Sequence, residues 1–368
     1  MTRRTDRYRR RREKRELKRQ AFLRQYDDFA KVCSRQNLFD AEVDARKNVM
    51  WKGSVQRWDI DRLINNEKLF RDLKAGKSMC KGFSKFDINE RGKLRHISAV
   101  GFYERIVQKC LCQQVLSPVY VKRLVYDNTA SQKGKGVDFA LDRLTTHLRR
   151  YYRRYGNSGY ALLIDYKGFF DNIDHEILKQ KYRKLLKNEK LVSLIDGFVD
   201  AYGKKGLGLG SETSQQHAIF YPNNIDNAIL NNPGGKIYFG RYMDDSYILS
   251  YSKDILKRLL CRLKKLCNAD KILLSAKKTM IIPFKKGIRF LKTRFFLTAS
   301  GKIIRKACHS AIVRERRRLK KQFGLLKAGK IKLAEIRQSL ESWTGSMIRR
   351  DARLSVWSMR RLYWRLSQ

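Results

Sequence analysis

Apolar and polar residues are arranged along the chain in a way that predicts a small set of strands. The run from Tyr160 to Ile164 is almost entirely apolar and ends on Asp165, which is typical of a buried strand. Two runs of strand-forming residues, Lys236 to Phe239 and Ser246 to Leu249, flank Tyr242-Met243-Asp244-Asp245. This spacing predicts a β-hairpin with two adjacent carboxylates at its tip.

Helical periodicity covers much of the remaining chain. Between Tyr103 and Val115 the apolar residues Ile106, Val107, Cys110 and Leu111 fall on one face, which predicts an amphipathic helix. A further helix is predicted to begin at Val137, after two glycines. The pattern also predicts helices over about residues 174–186, 214–230 and 255–267, and short strands at 272–274 and 280–282.

Both ends of the chain are basic. Residues 1–25, which contain Arg9 to Arg12, predict a basic helix or a partly disordered arm that contacts phosphates. From about residue 303 to 368 the sequence predicts helix almost throughout. Three tryptophans of this tail are predicted to be packing anchors: Trp343, Trp357 and Trp364. A basic turn is predicted at residues 89–93, and a glycine-rich loop at residues 206–210.

The charge balance indicates a polyanionic partner. The 368 residues include 83 Lys and Arg against 35 Asp and Glu, a formal net charge of +48. Self-repulsion of this size destabilises a compact protein, and binding to a nucleic acid compensates it. The hydrophobic content of 42% is enough to bury a real core, and the length allows two or three subdomains.

Cysteine usage and the absence of an apolar leader favour the cytoplasm. The seven cysteines are odd in number and show no CxxC spacing, which argues against a zinc site or a disulfide framework. The first residues are charged, and no run of about 18 apolar residues is present to span a bilayer. We therefore expect a cytoplasmic protein with no membrane partner.

The paired carboxylates at the hairpin tip predict a metal site. Burying Asp244 and Asp245 is costly unless they bind cations. Nucleotide polymerisation uses two Mg²⁺ ions about 3.5–4 Å apart, and ligands from two strands must converge on them. Asp165, at the end of another strand, completes such a set. An Asp in that position is more often a simple strand end, so the prediction depends on all three residues together.

These motifs resemble those of reverse transcriptases. The segment from Asp165 to His175 is similar to the first catalytic motif of the bacterial and retroviral-type enzymes, and Tyr242 to Asp245 is similar to their YxDD box. The resemblance covers about residues 80–300. It implies an α+β, right-hand polymerase fold with fingers, a palm containing an antiparallel sheet, and a helical thumb.

The resemblance also divides the chain into parts. Residues 1–30 would be a basic N-terminal arm or helix, and residues 31–159 the fingers. Residues 160–299 would be the palm, with a fingers-side insertion near residues 185–208. The helical, basic thumb would take residues 300–368.

The resemblance implies catalytic and metal-binding roles. Asp165, Asp244, Asp245 and the main chain of Tyr166 would bind two Mg²⁺ ions, for which Mn²⁺ could substitute. Lys278 would protonate the leaving pyrophosphate, with the neighbouring Lys277 as the alternative.

Further residues match substrate-binding positions of the family. Arg95 would clamp the incoming triphosphate, a task suited to its planar guanidinium. Phe170 would be the aromatic gate that excludes a ribose 2′-hydroxyl, although it could instead be ordinary core, as Phe169 is expected to be. The other positions implied to bind substrate are Tyr166, Leu209, Gly210, Gln215, Tyr242 and Met243. The turn Phe290-Leu291-Lys292 resembles the primer grip.

The glycine-rich loop departs from the common family pattern. Many relatives have a Gln-Gly pair followed by Ser-Pro, whereas this chain has Leu209-Gly210 followed by Ser214-Gln215. The substitution resembles the error-prone enzymes of diversity-generating retroelements. Leu209 offers no hydrogen bond to a nascent base pair, so selection there would depend on shape, which is a weaker filter. Alternatively, Leu209 simply packs beneath the loop.

The partners follow from this resemblance. An RNA-directed DNA polymerase needs an RNA template, a DNA or RNA primer, and dNTPs, and it releases cDNA. A structured non-coding RNA and a small basic accessory protein are further partners of the retroelement enzymes, in a bacterial or phage-infected cell. The alternatives are an anti-phage, defence-associated reverse transcriptase and a group II intron-type maturase or RNA-binding protein.

Overall fold

The computed structural model describes residues 3–90 and 93–368. Its N-terminal part is helical: α1 (Arg3–Tyr26), α2 (Phe29–Val32), α3 (Arg35–Arg46), α4 (Gly53–Ile60) and α5 (Arg62–Lys74). Of the two predictions for the N-terminal arm, the helix is confirmed in α1. An antiparallel hairpin follows, formed by β1 (Phe83–Glu90) and β2 (Lys93–Val100). The centre of the basic turn predicted at 89–93 lies outside the described residues.

A group of buried helices packs next to this hairpin. It consists of α6 (Phe102–Leu111), a π-helical turn (Cys112–Leu116), α7 (Ser117–Val121) and the long α8 (Val137–Tyr155). The four residues predicted to share the buried face of α6 are all fully buried, as expected. Helix α8 begins directly after Gly136, so its predicted start is also confirmed.

A four-stranded antiparallel sheet lies at the centre of the fold. Its strands are β3 (Tyr160–Asp165), β4 (Tyr238–Tyr242), β5 (Asp245–Ser250) and β6 (Met280–Pro283), in the spatial order β4-β5-β3-β6. Strand β3 is therefore central, and both of its neighbours run antiparallel to it. Its nearly unbroken apolar sequence fits a strand that is covered on both faces.

Five helices surround this sheet: α9 (His175–Arg183), α10 (Glu189–Asp200), α11 (Glu212–Phe220), α12 (Asn223–Leu230) and α13 (Lys253–Ala269). Side-chain caps fix where several of them begin. The Asp174 carboxylate accepts from the Ile177 N–H at the start of α9, and the Ser211 hydroxyl accepts from the Ser214 N–H at the start of α11.

Two local predictions were wrong. The single helix expected over residues 214–230 is two helices, because Pro222 has no N–H to continue the first one and takes the N-cap position of α12. Residues 272–274 do not form a strand. Only Leu274 pairs there, in an isolated bridge with Tyr166, because the chain crosses the end of β3 rather than running alongside it.

The C-terminal part joins a second sheet to a helical bundle. The sheet contains β7 (Ile288–Phe290), β8 (Thr293–Leu297) and β9 (Ile303–Ala307), and the helices are α14 (His309–Lys327), α15 (Leu333–Ile348) and α16 (Arg353–Ser367). The expectation of helix from residue 303 was wrong for β9. The β-branched residues Ile303 and Ile304 favour a strand there, and β9 extends the sheet by pairing with β8.

The tryptophans of the tail do not share one environment. Trp343 is 7% exposed and belongs to the core of the bundle, as predicted. Trp357 and Trp364 are 63% and 67% exposed, so their prediction as packing anchors was wrong. The buried face of α16 is formed instead by Val356 and Met359, which lie on the opposite side of the helix.

Candidate active site

The β4–β5 hairpin has the predicted carboxylates at its tip. Tyr242 and Asp245 are its last paired residues, which leaves Met243 and Asp244 as the turn. Met243 has φ +53°, the left-handed conformation required by tight hairpin turns. The Met243 side chain packs on the large core around α6, and Tyr242 packs on the smaller core around α8. The turn is therefore held from both sides.

The third carboxylate comes from the neighbouring strand. Asp165 is directly paired with Asp245 across β3 and β5, and side chains at such paired positions start about 4.5–5.5 Å apart at Cβ. The Tyr166 N–H, one residue further along, donates to the Asp244 carbonyl at 3.4 Å. The sheet thus brings Asp165 together with two acidic residues that lie about 80 positions later in the sequence.

Like charges at this edge perturb one another. Burial, together with the charges of Asp244 and Asp165, raises the pKa of Asp245 to about 6. Two cations, Lys278 and Arg289, partly offset this repulsion. The Lys278 Nζ is 2.8 Å from the Asp165 Oδ1. The hydrogen bond to Asp165 in turn raises the pKa of Lys278, whose side chain is 69% exposed. Lys278, rather than Lys277, is therefore the lysine that reaches the carboxylates.

The donor atoms here are of the kind that divalent cations prefer. Mg²⁺ and Mn²⁺ are hard ions that bind carboxylate oxygens, and the raised pKa of Asp245 is the signature of negative charge that a cation would stabilise. Within residues 3–90 and 93–368, no three Asp, Glu, His or Cys side chains are already arranged as a closed metal cluster. The carboxylate oxygens of Asp165, Asp244 and Asp245 are nevertheless of the chemical kind that a divalent metal binds.

Arg241, which the sequence analysis did not single out, stabilises the turn from the interior of the protein. Its side chain is fully buried and pairs with the equally buried Asp226 of α12, through Nε at 2.9 Å and Nη2 at 2.7 Å. Its Nη1 donates to the Met243 carbonyl at 3.0 Å, and its Nη2 to the Ile219 carbonyl at 2.7 Å. Four of its five N–H groups are thus within hydrogen-bonding distance of an acceptor. The sequence signal that could have identified Arg241 is a charged residue inside an otherwise apolar strand.

The main chain of Arg241 is fixed as well. Its N–H donates to the Asp127 carbonyl and its carbonyl accepts from the Thr129 N–H, both at 3.0 Å. The Thr129 hydroxyl donates to the same carbonyl at 3.0 Å. The loop before α8 therefore supports strand β4 directly behind the candidate site.

The segment after Asp165 carries the predicted gate, Phe170, five residues beyond that carboxylate. The side chains of Tyr166 and Phe169 are buried, as the interpretation of Phe169 as core required, whereas Phe170 is only partly buried. The Phe170 carbonyl accepts from the Leu207 N–H at 2.8 Å. This bond ties the gate candidate to the glycine-rich loop.

The glycine-rich loop also docks on the hairpin that carries Arg95. The Leu209 carbonyl accepts from the Ser98 N–H at 3.2 Å, and Leu209 forms an isolated parallel bridge with Ile97. Gly210 has φ +115°, which disfavours any side chain there. Arg95 is two residues before Ile97 on β2, so it lies on the element beside the loop rather than on the strands of the carboxylates. Gln215 accepts from the Ser131 hydroxyl at 3.1 Å.

The predicted primer-grip turn joins β7 to β8. Leu291 and Lys292 have φ of +46° and +63°, which is the pair of left-handed residues of a tight hairpin turn. The buried Phe290 ring packs edge-on against Tyr247 of β5, with 5.0 Å between the ring centroids. The turn is therefore attached to the strand that carries Asp245.

Comparison with known proteins identifies the family. The sequence model described as "Reverse transcriptase (RNA-dependent DNA polymerase)" matches residues 81–295, which is more than half of the chain. The chain belongs to this family. A search of curated proteins gives no match.

Two solved structures of telomerase are similar to this chain, and the first of them has a similar fold. Telomerase from Candida albicans, in complex with a fragment of telomeric RNA, has a TM-score of 0.51 at 13% identity over 80% of this chain. Apo telomerase from Candida tropicalis, truncated from its C-terminal domain, has a TM-score of 0.48 at 14% identity over 61% of the chain and 55% of that protein. The chain spans 56% of the C. albicans protein. The α+β polymerase fold is thus confirmed, and the likeness extends no further than the fold.

The lengths and polarity of the helices bear on whether any of them could span a membrane. Among the described residues, every helix is too short or too polar to cross a bilayer.

Proposed function

We propose that this protein is an RNA-directed DNA polymerase that copies an RNA template into cDNA from a DNA or RNA primer. The observation that carries this proposal is the pairing of Asp165 with Asp245 across adjacent strands, with Asp244 in the turn beside them. The family supports the same substrates, which are an RNA template and dNTPs. The net charge of +48 suits a protein that holds a nucleic acid duplex.

The carboxylates would hold two divalent ions, Mg²⁺ or Mn²⁺, with the main chain of Tyr166 as a further ligand. When bound, such ions stabilise the charge on the phosphates and lower the pKa of the attacking primer hydroxyl. Lys278 keeps a proton on its Nζ because its pKa is raised, and it would donate that proton to the leaving pyrophosphate as a general acid. Its contact with Asp165 places it at the edge of the site.

The remaining substrate roles are assigned by position. Phe170, five residues beyond Asp165 and only partly buried, would exclude the 2′-hydroxyl of a ribonucleotide. Arg95 would bind the triphosphate from the β1–β2 hairpin. The loop and turn residues would contact the nascent base pair and the primer: Leu209, Gly210, Gln215, Tyr242, Met243, Phe290, Leu291 and Lys292.

We assign residues 1–30 to a basic arm, 31–159 to fingers, 160–299 to the palm and 300–368 to the thumb. The central sheet supports the palm assignment, and the bundle of α14 to α16 supports the thumb. Strand β9 continues the sheet of β7 and β8 past residue 299, so the connection between palm and thumb is a shared sheet rather than a linker.

The decisive experiment is primer extension on an RNA template with Mg²⁺. Replacing both turn carboxylates, Asp244→Asn with Asp245→Asn, should abolish extension, because the amides cannot supply the negative charge that holds the metal. Asp254→Asn is the matched control, since Asp254 is an exposed carboxylate of α13, and it should retain full activity. Unchanged extension by the double variant would overturn the proposal.

The gate is tested separately. Phe170→Ala should raise incorporation of ribonucleotides relative to deoxyribonucleotides, whereas replacement of the buried Phe169 should reduce stability instead, because a large core side chain is lost. Equal discrimination by Phe170→Ala and the wild type would assign Phe170 to the core.

For the biological role we propose error-prone copying in a diversity-generating retroelement, rather than phage defence or intron maturation. The support is Leu209, whose main chain docks on Ser98 while its side chain offers no hydrogen bond to a base pair. A structured RNA and a small basic accessory protein would be the partners. Leu209→Gln should lower errors opposite template adenine, as measured by sequencing the cDNA. Equal error rates in the two proteins would contradict this role.

A further inference from the structure

The last helix has an outer face that its neighbours do not cover. Leu354, Trp357, Arg361 and Trp364 recur every three or four residues along α16, so they form one stripe along the helix. Leu354 is 85% exposed, and Trp357 and Trp364 are 63% and 67% exposed. Exposed rings of this size are uncommon on a protein surface without a partner. We call this set the outer stripe.

The outer stripe is not part of the face of α16 that packs in the hydrophobic core of the bundle. Val356 and Met359 already bury the inner face of α16 against α14 and α15. The rings of the stripe are also held in position: the Arg361 guanidinium lies 5.5 Å from the centre of the Trp357 ring, and Tyr363 packs edge-on against Trp364 at 5.8 Å. Fixed aromatic faces beside a cation are the elements of a stacking platform for bases.

We propose that the outer stripe of α16 binds single-stranded RNA, with unpaired bases stacked on Trp357 and Trp364. The charge of the helix selects this partner: the segment Arg353–Ser367 has four arginines and no acidic residue. These arginines flank the rings, where they would meet the phosphates. Only Arg360 has an acidic neighbour, Glu341, at 3.3 Å, among the ion pairs of the described residues.

The geometry favours a single strand over a duplex or a second copy. Seven residues separate the two tryptophans, about 10 Å along the helix axis, whereas stacked bases are about 3.4 Å apart. The two rings would thus hold separate bases, which a paired duplex does not offer. A second copy of this chain would bring arginines against arginines, which is repulsive.

The choice of RNA over DNA rests on the proposed function, because a template ahead of the copying site is single-stranded RNA. Binding itself can be measured without polymerisation. The experiment therefore uses the full chain without divalent metal and without dNTPs. If the Asp244→Asn, Asp245→Asn double variant also binds, a failure of catalysis and a failure of this site are told apart.

The test measures the affinity for an unstructured 12-nucleotide RNA by fluorescence anisotropy. Trp357→Ala with Trp364→Ala should weaken binding at least about 30-fold, because two stacking contacts are lost. The dependence of log Kd on log salt should not change, since no phosphate contact is removed. Arg361→Gln should instead reduce that slope by about 0.7. RNA should also quench tryptophan emission in the wild type and much less in the double variant.

Trp51→Ala is the matched control, because it removes a tryptophan ring that is 73% exposed and lies outside the outer stripe. It should keep the affinity within about twofold, and a 12-base-pair duplex should bind the wild type and the tryptophan variant equally. Four results would overturn the proposal: unchanged affinity in the tryptophan variant, an equal loss for the duplex, tighter binding of the same sequence as DNA, or a change from dimer to monomer in the tryptophan variant. Circular dichroism checks that the variants are folded.

Discussion

The buried pair of Arg241 and Asp226 gives the sharpest prediction, because it separates stability from catalysis. Both side chains are fully buried, and they are joined by three nitrogen-to-oxygen contacts of 2.7–2.9 Å. Arg241→Met leaves the Asp226 carboxylate without a counter-charge, and Asp226→Leu leaves the guanidinium without one. Either change should cost about 3–5 kcal/mol of folding free energy.

The double variant should recover much of this loss. Replacing a buried ion pair by apolar residues of similar volume is often neutral or favourable. Two costs remain, because the carbonyls of Ile219 and Met243 lose the donors that Arg241 provided, at about 1 kcal/mol or more each. We therefore expect the double variant to be about 2 kcal/mol less stable than the wild type and clearly more stable than either single variant.

Activity should not recover with stability. The Met243 carbonyl belongs to the turn that carries Asp244 and Asp245, and without the Arg241 donor the turn loses one of the contacts that fix it. A displacement of about 1 Å can cost about 100-fold in rate, so primer extension by the double variant should be about 100-fold slower. Thermal unfolding and single-turnover extension measure the two effects separately. A double variant that extends primers at the wild-type rate would show that Arg241 supports only the fold.

Three further predictions concern the same site. Without metal, Asp245→Asn should stabilise the protein above pH 6 and not below pH 4. The reason is that the wild type loses stability as the pH rises from the pKa of Asp in the unfolded chain, about 4, to the pKa of Asp245 in the folded protein, about 6. A difference in melting temperature that does not depend on pH would contradict this prediction. Lys278→Gln should slow extension roughly 100-fold and remove the basic limb of the pH–rate profile, while Lys277→Gln should change the rate less than about twofold. Gly208→Ala should lower the melting temperature, because the new Cβ would lie 2.1 Å from the Tyr202 ring; an unchanged melting temperature would mean that Tyr202 moves without cost.

The sequence predicted the elements whose signals are local. The apolar run before Asp165 and the paired runs around Tyr242 to Asp245 depend on neighbouring residues only. Strands β3 and β5 lie close to where they were expected, whereas β4 begins two residues later than the predicted run and extends to Tyr242. The face of α6 was predicted for the same reason. What periodicity could not supply was the spatial order β4-β5-β3-β6, which brings Asp165 opposite Asp245. That convergence was inferred instead from the ligands that two metal ions require, and the resemblance to a family supported it.

Two of the failures share a cause, since each depends on what the rest of the chain does. Trp357 and Trp364 look like core residues in the sequence, but Val356 and Met359 occupy the buried face of α16. Arg241 looks like a surface residue, but Asp226, from a helix 15 positions earlier, makes its burial possible. Neither partner is visible from the local pattern.

The candidate site is held largely by main-chain hydrogen bonds between segments that are distant in sequence. The Ser275 N–H donates to the Asp165 carbonyl at 2.9 Å, and the Lys167 N–H donates to the Leu273 carbonyl at 2.7 Å. Together these bonds fasten the end of β3 to the segment that carries Lys278. Because side-chain substitutions leave such bonds in place, most single changes around the site should alter chemistry without moving the backbone. Arg241 differs from most of them, because its side chain donates to the backbone of the turn itself, and we therefore expect its replacement to separate the two effects.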